Sequence, residues 1–180
     1  WCYPWTVPML NGRTICLRNI DVKKIFELID RYDVTHFGGA PIVLNMITGA
    51  PESNRKKLKN KVHVLTAGAP PPSIIFKKMK ELGFEVMHVY GLTETYGHVT
   101  QCAWNEEWDE LDEEKQNEIK ARQGVRYPNT EGVTIMDPET MKEIPRDGKT
   151  IGEIMIRGNI VMKGYFKDKD ATDKAMKGGW

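Results

Sequence analysis

Between residues 13 and 90, short runs of apolar residues alternate with longer segments in which apolar residues recur every three or four positions. The short runs predict strands and the periodic segments predict helices. Because the links between them are short, this alternation indicates β–α–β units, whose strands run parallel and are covered by helices on both faces. The predicted strands are residues 14–17, 34–37, 62–66 and 86–89.

Capping residues mark the ends of the helices between these strands. Asp21 is suited to cap a helix that carries Ile25 on its buried face, and Pro41 fits the first turn of the next helix. Ser73 is a helix-capping residue type at the start of a third helix, which Gly83 ends. The fold class predicted for this part is α/β, with a parallel β-sheet and flanking helices.

The pattern changes after residue 97. An acidic run at 106–114 leads into a polar helix, and strand-like segments follow at 133–136 and 151–157, separated by turn residues. These segments predict an antiparallel β subdomain. The predicted organisation is therefore an α/β subdomain over residues 1–100, followed by a linker helix and a β-rich subdomain over residues 101–180.

Composition narrows the function classes. The 180 residues include 26 basic and 25 acidic side chains, so the net charge of +1 lacks the concentrated positive field that nucleic-acid binding requires. No segment approaches the ~20 apolar residues of a membrane-spanning helix. The three cysteines, Cys2, Cys16 and Cys102, are scattered and form no CxxC pair. This usage is typical of a reducing, intracellular compartment, cytoplasmic or peroxisomal.

The ends of the chain predict an internal fragment of a longer protein. The chain begins at Trp1 without an initiator Met, and it stops at Gly178, Gly179 and Trp180 without a capped helix or a polar tail. Any targeting segments are expected to lie outside these residues.

A first candidate ligand-binding segment follows the predicted strand at 62–66. The small residues Ala67, Gly68 and Ala69 would let a flat ligand approach the backbone, and the prolines that begin at Pro70 would stiffen the segment. Ligands of open parallel sheets bind at the carboxyl ends of strands. From the residues alone, an ordinary strand-to-helix turn is an equally good interpretation.

A second candidate follows the strand at 86–89. Tyr90 could stack on a planar base, Thr93 could hydrogen-bond a phosphate oxygen, and Glu94 offers the hard oxygen that Mg²⁺ prefers. An unpaired glutamate in so apolar a neighbourhood is expected to have a raised pKa because of desolvation. The alternative is a capping box that begins a helix, with Thr93 or Thr95 as the cap.

A family resemblance distinguishes these alternatives. Residues 90–94, YGLTE, resemble the YGxTE signature of the AMP-forming acyl-activating enzymes, the superfamily of acyl-CoA synthetases, aryl-CoA ligases, luciferases and adenylation domains. Residues 66–73 resemble the adenine-side segment of that family, 152–165 resemble its GE…G…GY block, and 178–180 resemble the opening of a GGW motif. Residues 1–11 and 34–41 are also similar to this family, especially to the plant-type branch that includes butyrate- and benzoate-CoA ligases.

The resemblance implies a binding site for the nucleotide. In it, the small residues after the strand at 62–66 line the adenine, and Tyr90 stacks on the other face of the base. The implied nucleotide-binding residues are Gly68, Ala69, Pro70, Tyr90, Gly91, Leu92 and Thr93.

The resemblance also implies the catalytic residues and part of the acyl pocket. Thr93 contacts the adenylate phosphate, and Glu94 binds the Mg²⁺ that bridges the phosphates. Ala67 and Gly91 lie beside the acyl pocket. Acetate-using relatives carry a tryptophan at the position of Gly91, so glycine implies room for a longer or bulkier acid.

The function implied is that of an acid–thiol ligase. The parent protein activates a fatty or aryl carboxylic acid with Mg-ATP to an acyl-adenylate and transfers the acyl group to CoA. ATP, Mg²⁺ and CoA are therefore its expected cofactors and co-substrates, with no nucleic acid and no transmembrane segment. The family's phosphate loop and C-terminal domain match nothing in these residues, so the piece alone is expected to be inactive. The alternatives are a luciferase-like monooxygenase or other adenylate-former, and a non-catalytic nucleotide-binding or scaffold relative.

Overall fold

The structure is a computed structural model that describes residues 3–180, so Trp1 and Cys2, and the expectations that involve them, lie outside the described residues. The chain divides into two compact units. The first unit runs to Tyr90 and includes Thr100–Val125, and the second comprises Gly91–Val99 and Arg126–Trp180. The predicted division at residue 100 falls where the chain passes from the second unit to the first.

Parallel strands form the centre of the first unit. β1 pairs with β2 and β2 with β3, both in parallel, and Val64 is in register with Phe37 and Val86. The strand order of the sheet is β1-β2-β3-β4-β5. The predicted α/β class with a parallel sheet is confirmed. The strands of this sheet are β1 (His36–Gly38), β2 (Val62–Thr66), β3 (Phe84–Leu92), β4 (Gly97–Gln101) and β5 (Val125–Arg126).

One predicted strand is wrong. Residues 12–17 have no regular secondary structure, and within the predicted strand at 14–17 only Ile15 is even half-buried. A short β-branched run forms a strand when its side chains pack against a neighbouring surface. The side chains of this run are not buried in that way, so the run does not form a strand although it contains apolar residues.

The ends of most helices follow the capping residues. The helices are α1 (Tyr3–Met9), α2 (Val22–Tyr32), α3 (Pro41–Gly49), α4 (Ser73–Glu81), α5 (Glu113–Lys120) and α6 (Lys169–Ala175). Asp21 caps α2 by accepting a hydrogen bond from the Lys24 amide at 2.9 Å. The predicted Ser73 cap is wrong, because Pro72 holds the N-cap position of α4 and Ser73 is already helical. Gly83 ends this helix with a φ of +91°.

The core of the first unit lies between the helices and the sheet. Phe84 on β3 contacts the rings of Phe26 and Phe37 edge to face, each with a centroid distance of 5.8 Å. On α3, Leu44 is buried as expected, whereas Ile42 is 61% exposed. The buried cluster consists of Val22, Phe26, Ile29, Leu44, Ile47, Ala50, Val62, Val64, Ile75, Phe76, Met79, Phe84 and Val86.

The acidic run and the polar helix after it belong to the first unit, to which α5 contributes the buried Ile119 as well as ion pairs. Asp112 caps α5 by accepting from the Lys115 amide. Glu113 pairs with Lys77 at 3.1 Å, and Lys120 pairs with Glu85 of β3 at 2.9 Å. Three-residue and five-residue 3₁₀ turns lie at Glu52–Asn54, Thr93–Thr95, Glu106–Glu110 and Lys177–Gly179.

The second unit contains the predicted antiparallel pair. β6 (Gly132–Met136) and β7 (Glu153–Arg157) pair antiparallel, with Gly132 opposite Arg157. The Arg157 guanidinium lies 4.3 Å from the centroid of the Trp180 ring. A Cβ added at Gly132 would lie 2.8 Å from Cη2 of Trp180, so glycine is needed for that ring to approach. Within residues 3–180, none of the helices is long and apolar enough to span a membrane.

Candidate functional site

The segment after β2 is open where the sequence predicts an adenine-side wall. Thr66 ends β2, Ala67 is half-buried, and Gly68, Ala69 and Pro70 are exposed. Gly68 has a φ of +100°, which residues with a side chain adopt only with strain, and nothing lies within 4 Å of the place a Cβ would take. The turn therefore needs glycine for its backbone, and the space beside it can accept a flat ligand.

Tyr90 lies at the same edge of the sheet as this segment. Thr66 is in register with His88 on the parallel strand β3, so the chain leaves both strands in the same direction at their carboxyl ends. Tyr90 is half-buried two residues beyond His88. His88 itself is buried, with Nδ1 3.2 Å from the Ala121 carbonyl oxygen and 3.1 Å from that of Arg122. His88 thus ties the end of α5 to the sheet, which is a structural role.

Gly91 lies where two backbone segments of the second unit approach closely. A Cβ added at this position would overlap the carbonyl oxygen of Gly97 and lie 2.6 Å from Cα of His98. Contacts this short force the backbone to move. Glycine is therefore required at position 91 by main-chain packing, and its predicted place beside an acyl pocket remains a prediction.

A 3₁₀ turn, Thr93–Thr95, follows Leu92 and carries the hydrogen bond of a capping box between the Leu92 amide and Thr95. The capping-box alternative is therefore right about the hydrogen bond, but Leu92 rather than Thr93 or Thr95 is the N-cap, and the turn is not the start of an α-helix. The Thr95 hydroxyl accepts a hydrogen bond from the Leu92 amide at 2.9 Å. The same hydroxyl lies 3.1 Å from the Leu92 carbonyl oxygen and 2.9 Å from that of Gly97. Thr95 closes the turn internally, whereas the Thr93 side chain is exposed and available to a ligand.

Glu94 is held by residues of the GE…G…GY block, which resembles the family but had no predicted role in the site. Its carbonyl oxygen accepts from the Met162 amide at 2.7 Å, and its carboxylate Oε1 accepts from the Tyr165 hydroxyl at 2.8 Å. Residues 93–94 and 165 are thus brought together within the second unit. Tyr165 was missed as a site residue, although its place in the Gly164–Tyr165 pair of the GE…G…GY block was a usable signal.

The pKa of Glu94 is lowered, whereas desolvation was expected to raise it. Hydrogen bonds to its carboxylate, first from its own backbone amide and then from Tyr165, lower its pKa below the usual value, and burial opposes this only weakly. The same contact with Glu94 raises the pKa of the Tyr165 phenol. Glu94 is therefore an ionised acceptor and Tyr165 a neutral donor near pH 7.

Comparison with known proteins identifies the family. Residues 1–166 match the family of AMP-binding enzymes. The chain belongs to the AMP-binding enzyme family. It is 51% identical over 182 aligned residues to the peroxisomal acetate/butyrate–CoA ligase AAE7 of Arabidopsis thaliana, and 51% identical to the acetate–CoA ligase CCL3 of Humulus lupulus. Each alignment covers 100% of this chain and 32% of the relative, so the chain spans about a third of their length.

A solved structure supports the same fold. The N-terminal domain of FACL13 from Mycobacterium tuberculosis superimposes with a TM-score of 0.76 at 25% identity, covering 96% of this chain and 40% of that one. The resemblance to plant CoA ligases and the placement within the N-terminal domain of such enzymes are both confirmed.

The donor set of this chain fits a magnesium ion carried by a nucleotide. Among residues 3–180, no three His, Cys, Asp or Glu side chains cluster as metal ligands. Mg²⁺ commonly binds through one or two carboxylates together with substrate phosphates and waters. A carboxylate offers about four acceptor sites, of which the Tyr165 hydroxyl and the Glu94 backbone amide use one each. An ionised Glu94 on a fixed turn beside the exposed Thr93 fits that mode of binding.

Proposed function

We propose that the intact protein is an AMP-forming acid–CoA ligase. The observation that carries the proposal is the 51% identity, over all of this chain, to a relative named as an acetate/butyrate–CoA ligase. The segments identified from the sequence support it, because one follows β2, another includes the end of the neighbouring parallel strand β3, and a third holds the acidic residue of the YGLTE motif.

The reaction needs two displacements. A carboxylate oxygen of the acid attacks the α-phosphorus of ATP, the bond to the bridging oxygen of pyrophosphate breaks, and an acyl-adenylate forms. The thiolate of CoA then attacks the acyl carbon, and AMP leaves with the electron pair of the C–O bond. Activation is required because a free carboxylate is a poor electrophile.

Five of the predicted nucleotide-binding residues have a role in the first displacement. Gly68, Ala69 and Pro70 offer the open wall for adenine, and Tyr90 supplies an aromatic face for the same base. The exposed Thr93 hydroxyl donates to a phosphate oxygen. Positioning of this kind removes most of the entropic barrier between bound reactants.

Glu94 would hold Mg²⁺ in this site. The ion supplies neutralisation of the phosphate charge when it is bound with ATP. The chain keeps the carboxylate ionised by lowering its pKa, through the Glu94 backbone amide and then the Tyr165 hydroxyl, and the Met162 amide holds the Glu94 main chain.

We infer that the acid is a short-chain carboxylic acid. The names of the two relatives, which specify acetate and butyrate, support this class. Gly91 and Ala67 are the residues proposed to border the acyl group. Glycine at position 91 is consistent with an acid longer than acetate, but main-chain packing alone also accounts for it.

For the cellular compartment, we propose the peroxisome. AAE7 is named as peroxisomal, and the scattered cysteines of this chain suit a reducing interior. A fluorescent fusion of the intact protein, imaged with a peroxisomal marker, tests this directly.

The function is tested on the intact protein with a panel of acids. Acid-dependent exchange of pyrophosphate into ATP reports the first displacement, and mass spectrometry of the CoA thioester reports the second. We expect both signals with acetate or butyrate, and weaker signals with benzoate. Adenylate formation without thioester would favour the monooxygenase or another adenylate-former. Nucleotide binding without exchange would favour the scaffold alternative.

A further inference from the structure

One short segment contacts Glu94 at two different atoms. Residues 161–165, here called the GY segment, donate from the Met162 amide to the Glu94 carbonyl oxygen at 2.7 Å and from the Tyr165 hydroxyl to Glu94 Oε1 at 2.8 Å. The two residues of the second contact are 71 positions apart in sequence. A single segment therefore fixes both the main chain and the carboxylate of Glu94.

Tyr165 is itself held from α6. Its backbone amide donates to Oγ1 of Thr172 at 2.9 Å, and the Thr172 hydroxyl donates to the Asp168 carbonyl oxygen at 2.7 Å. Gly164 permits this contact, because its φ is +150° and an added Cβ would lie 2.6 Å from Cγ2 of Thr172. Packing against Thr172 thus explains why residue 164 of the GY segment is glycine. The Tyr165 hydroxyl is the group of this segment that contacts the Glu94 carboxylate.

A hydrogen bond between two accessible groups contributes little to folding by itself, and Tyr165 is 42% exposed. The hydrogen bond between Tyr165 and Glu94 instead fixes the orientation of the Glu94 carboxylate. Partners in the outer shell of a metal site fix the direction of the ligating group, and their loss commonly lowers metal affinity about 10- to 100-fold. A glutamate side chain without such a partner would sample several rotamers before it met the ion.

We propose that Tyr165 is a positioning residue, which holds Oε1 of Glu94 so that the remaining acceptor sites of the carboxylate face a nucleotide-bound divalent cation. This inference rests on the proposed function in one respect only, namely that Glu94 meets a cation carried by a nucleotide. The lowered pKa of Glu94 and the raised pKa of Tyr165 agree with a neutral phenol donating to a charged carboxylate.

The test measures divalent-cation binding in the intact protein. Mn²⁺, which replaces Mg²⁺ and is visible by electron paramagnetic resonance, is titrated in the presence of a non-hydrolysable ATP analogue. We expect Tyr165→Phe to weaken Mn²⁺ binding about tenfold, the low end of the range for outer-shell partners because the pair is exposed. The same variant should need about tenfold more Mg²⁺ for half-maximal pyrophosphate exchange, with the maximum largely recovered at saturating Mg²⁺.

Two further variants make the result specific. Tyr32→Phe removes a hydroxyl from another exposed tyrosine, on α2, and should leave the Mn²⁺ titration unchanged. Thr172→Val keeps the shape of that side chain but removes the acceptor for the Tyr165 amide, and it should weaken Mn²⁺ binding by a smaller factor than Tyr165→Phe. Circular dichroism and thermal unfolding establish that all three variants are folded.

The outcomes separate this inference from the proposed function. Equal Mn²⁺ affinity in wild type and Tyr165→Phe would overturn the positioning role even if wild type produced CoA thioester normally. A tenfold loss of Mn²⁺ affinity in a protein that formed no acyl-adenylate would support the positioning role and overturn the ligase proposal. Absence of any Mn²⁺ binding by wild type with the nucleotide analogue would overturn the positioning role.

Discussion

The two units of this chain are stabilised in different ways. In the first, a contiguous cluster of buried aliphatic and aromatic side chains joins helices to a parallel sheet, and the predicted ligand residues lie in the turn after β2 and near the end of β3. In the second, the backbone is held by individual hydrogen bonds and by glycines that backbone or side chains approach closely, at positions 91, 132 and 164. Substitutions in the first unit should therefore act on stability through the core, whereas those in the second should act on the turn that carries Thr93 and Glu94.

The largest expected effect is the loss of stability when a side chain is removed from the core of the first unit. Phe84 is 1% exposed and contacts two other aromatic rings, so Phe84→Ala in the intact protein should lower the free energy of unfolding by about 3–5 kcal/mol. The matched control is Phe166→Ala in the second unit, where the ring is 88% exposed and the loss should stay within about 0.5 kcal/mol. Urea unfolding measures both, and similar losses for the two variants would contradict the comparison.

The next largest effect is a loss of catalytic rate, on substitution of Glu94, with little change in stability. Glu94→Gln preserves shape and removes the charge, so acid-dependent pyrophosphate exchange should fall by roughly a hundredfold, the scale for losing one electrostatic contact to a reacting group. The melting temperature should change little, because the Tyr165 hydroxyl can donate to the amide oxygen as well. Exchange close to that of wild type at several Mg²⁺ concentrations would remove Glu94 from the cation site.

Gly91 gives the sharpest test of why the second unit needs its glycines. A pocket explanation requires only space for the acid, whereas the structure places a Cβ at this position against the backbone of Gly97 and His98. Gly91→Ala should therefore destabilise the turn by about 1–3 kcal/mol, as overpacking commonly does. Gly148→Ala tests the contribution of backbone angle without crowding, since its φ is +68° and nothing lies within 4 Å of the Cβ position.

Measurement of both unfolding and acid preference distinguishes the explanations. A Gly91→Ala variant of unchanged stability that uses shorter acids would support the pocket role. Loss of stability with the same relative kcat/KM across a chain-length series would support main-chain packing.

The sequence predicted the parts of the fold in which periodicity, burial and capping agree. Strand 62–66 and the α2 cap at Asp21 follow from local patterns that the tertiary structure reinforces. The run at 14–17 has the same local character but no surface to pack against, which a local pattern cannot reveal. The contact between Glu94 and Tyr165 joins residues far apart in the chain, so no spacing rule could predict it.

The smallest effect compares two surface carboxylates, one in each unit. Asp30 owes its lowered pKa first to hydrogen bonds from Lys59 and Lys56, and the Lys59 ammonium lies 2.8 Å away. Asp147 owes its pKa of about 2 first to the backbone amide of Thr150, and then to that of Lys149. Ion pairs between exposed groups are screened by salt, whereas backbone amides carry no net charge.

Raising the salt concentration should therefore separate the two carboxylates. At about 1 M salt, where the screening length is ~3 Å, the pKa of Asp30 should rise toward its usual value while that of Asp147 stays low. Because both values are lowered in the folded protein, each carboxylate stabilises it above the usual pKa of 3.8, and for Asp147 this stabilisation is lost as the pH falls from 3.8 to about 2. Carbon-13 titration of labelled aspartates in low and high salt, followed down to the pH at which the fold is lost, measures both curves. Equal salt shifts for the two residues would show that backbone amides do not set the pKa of Asp147.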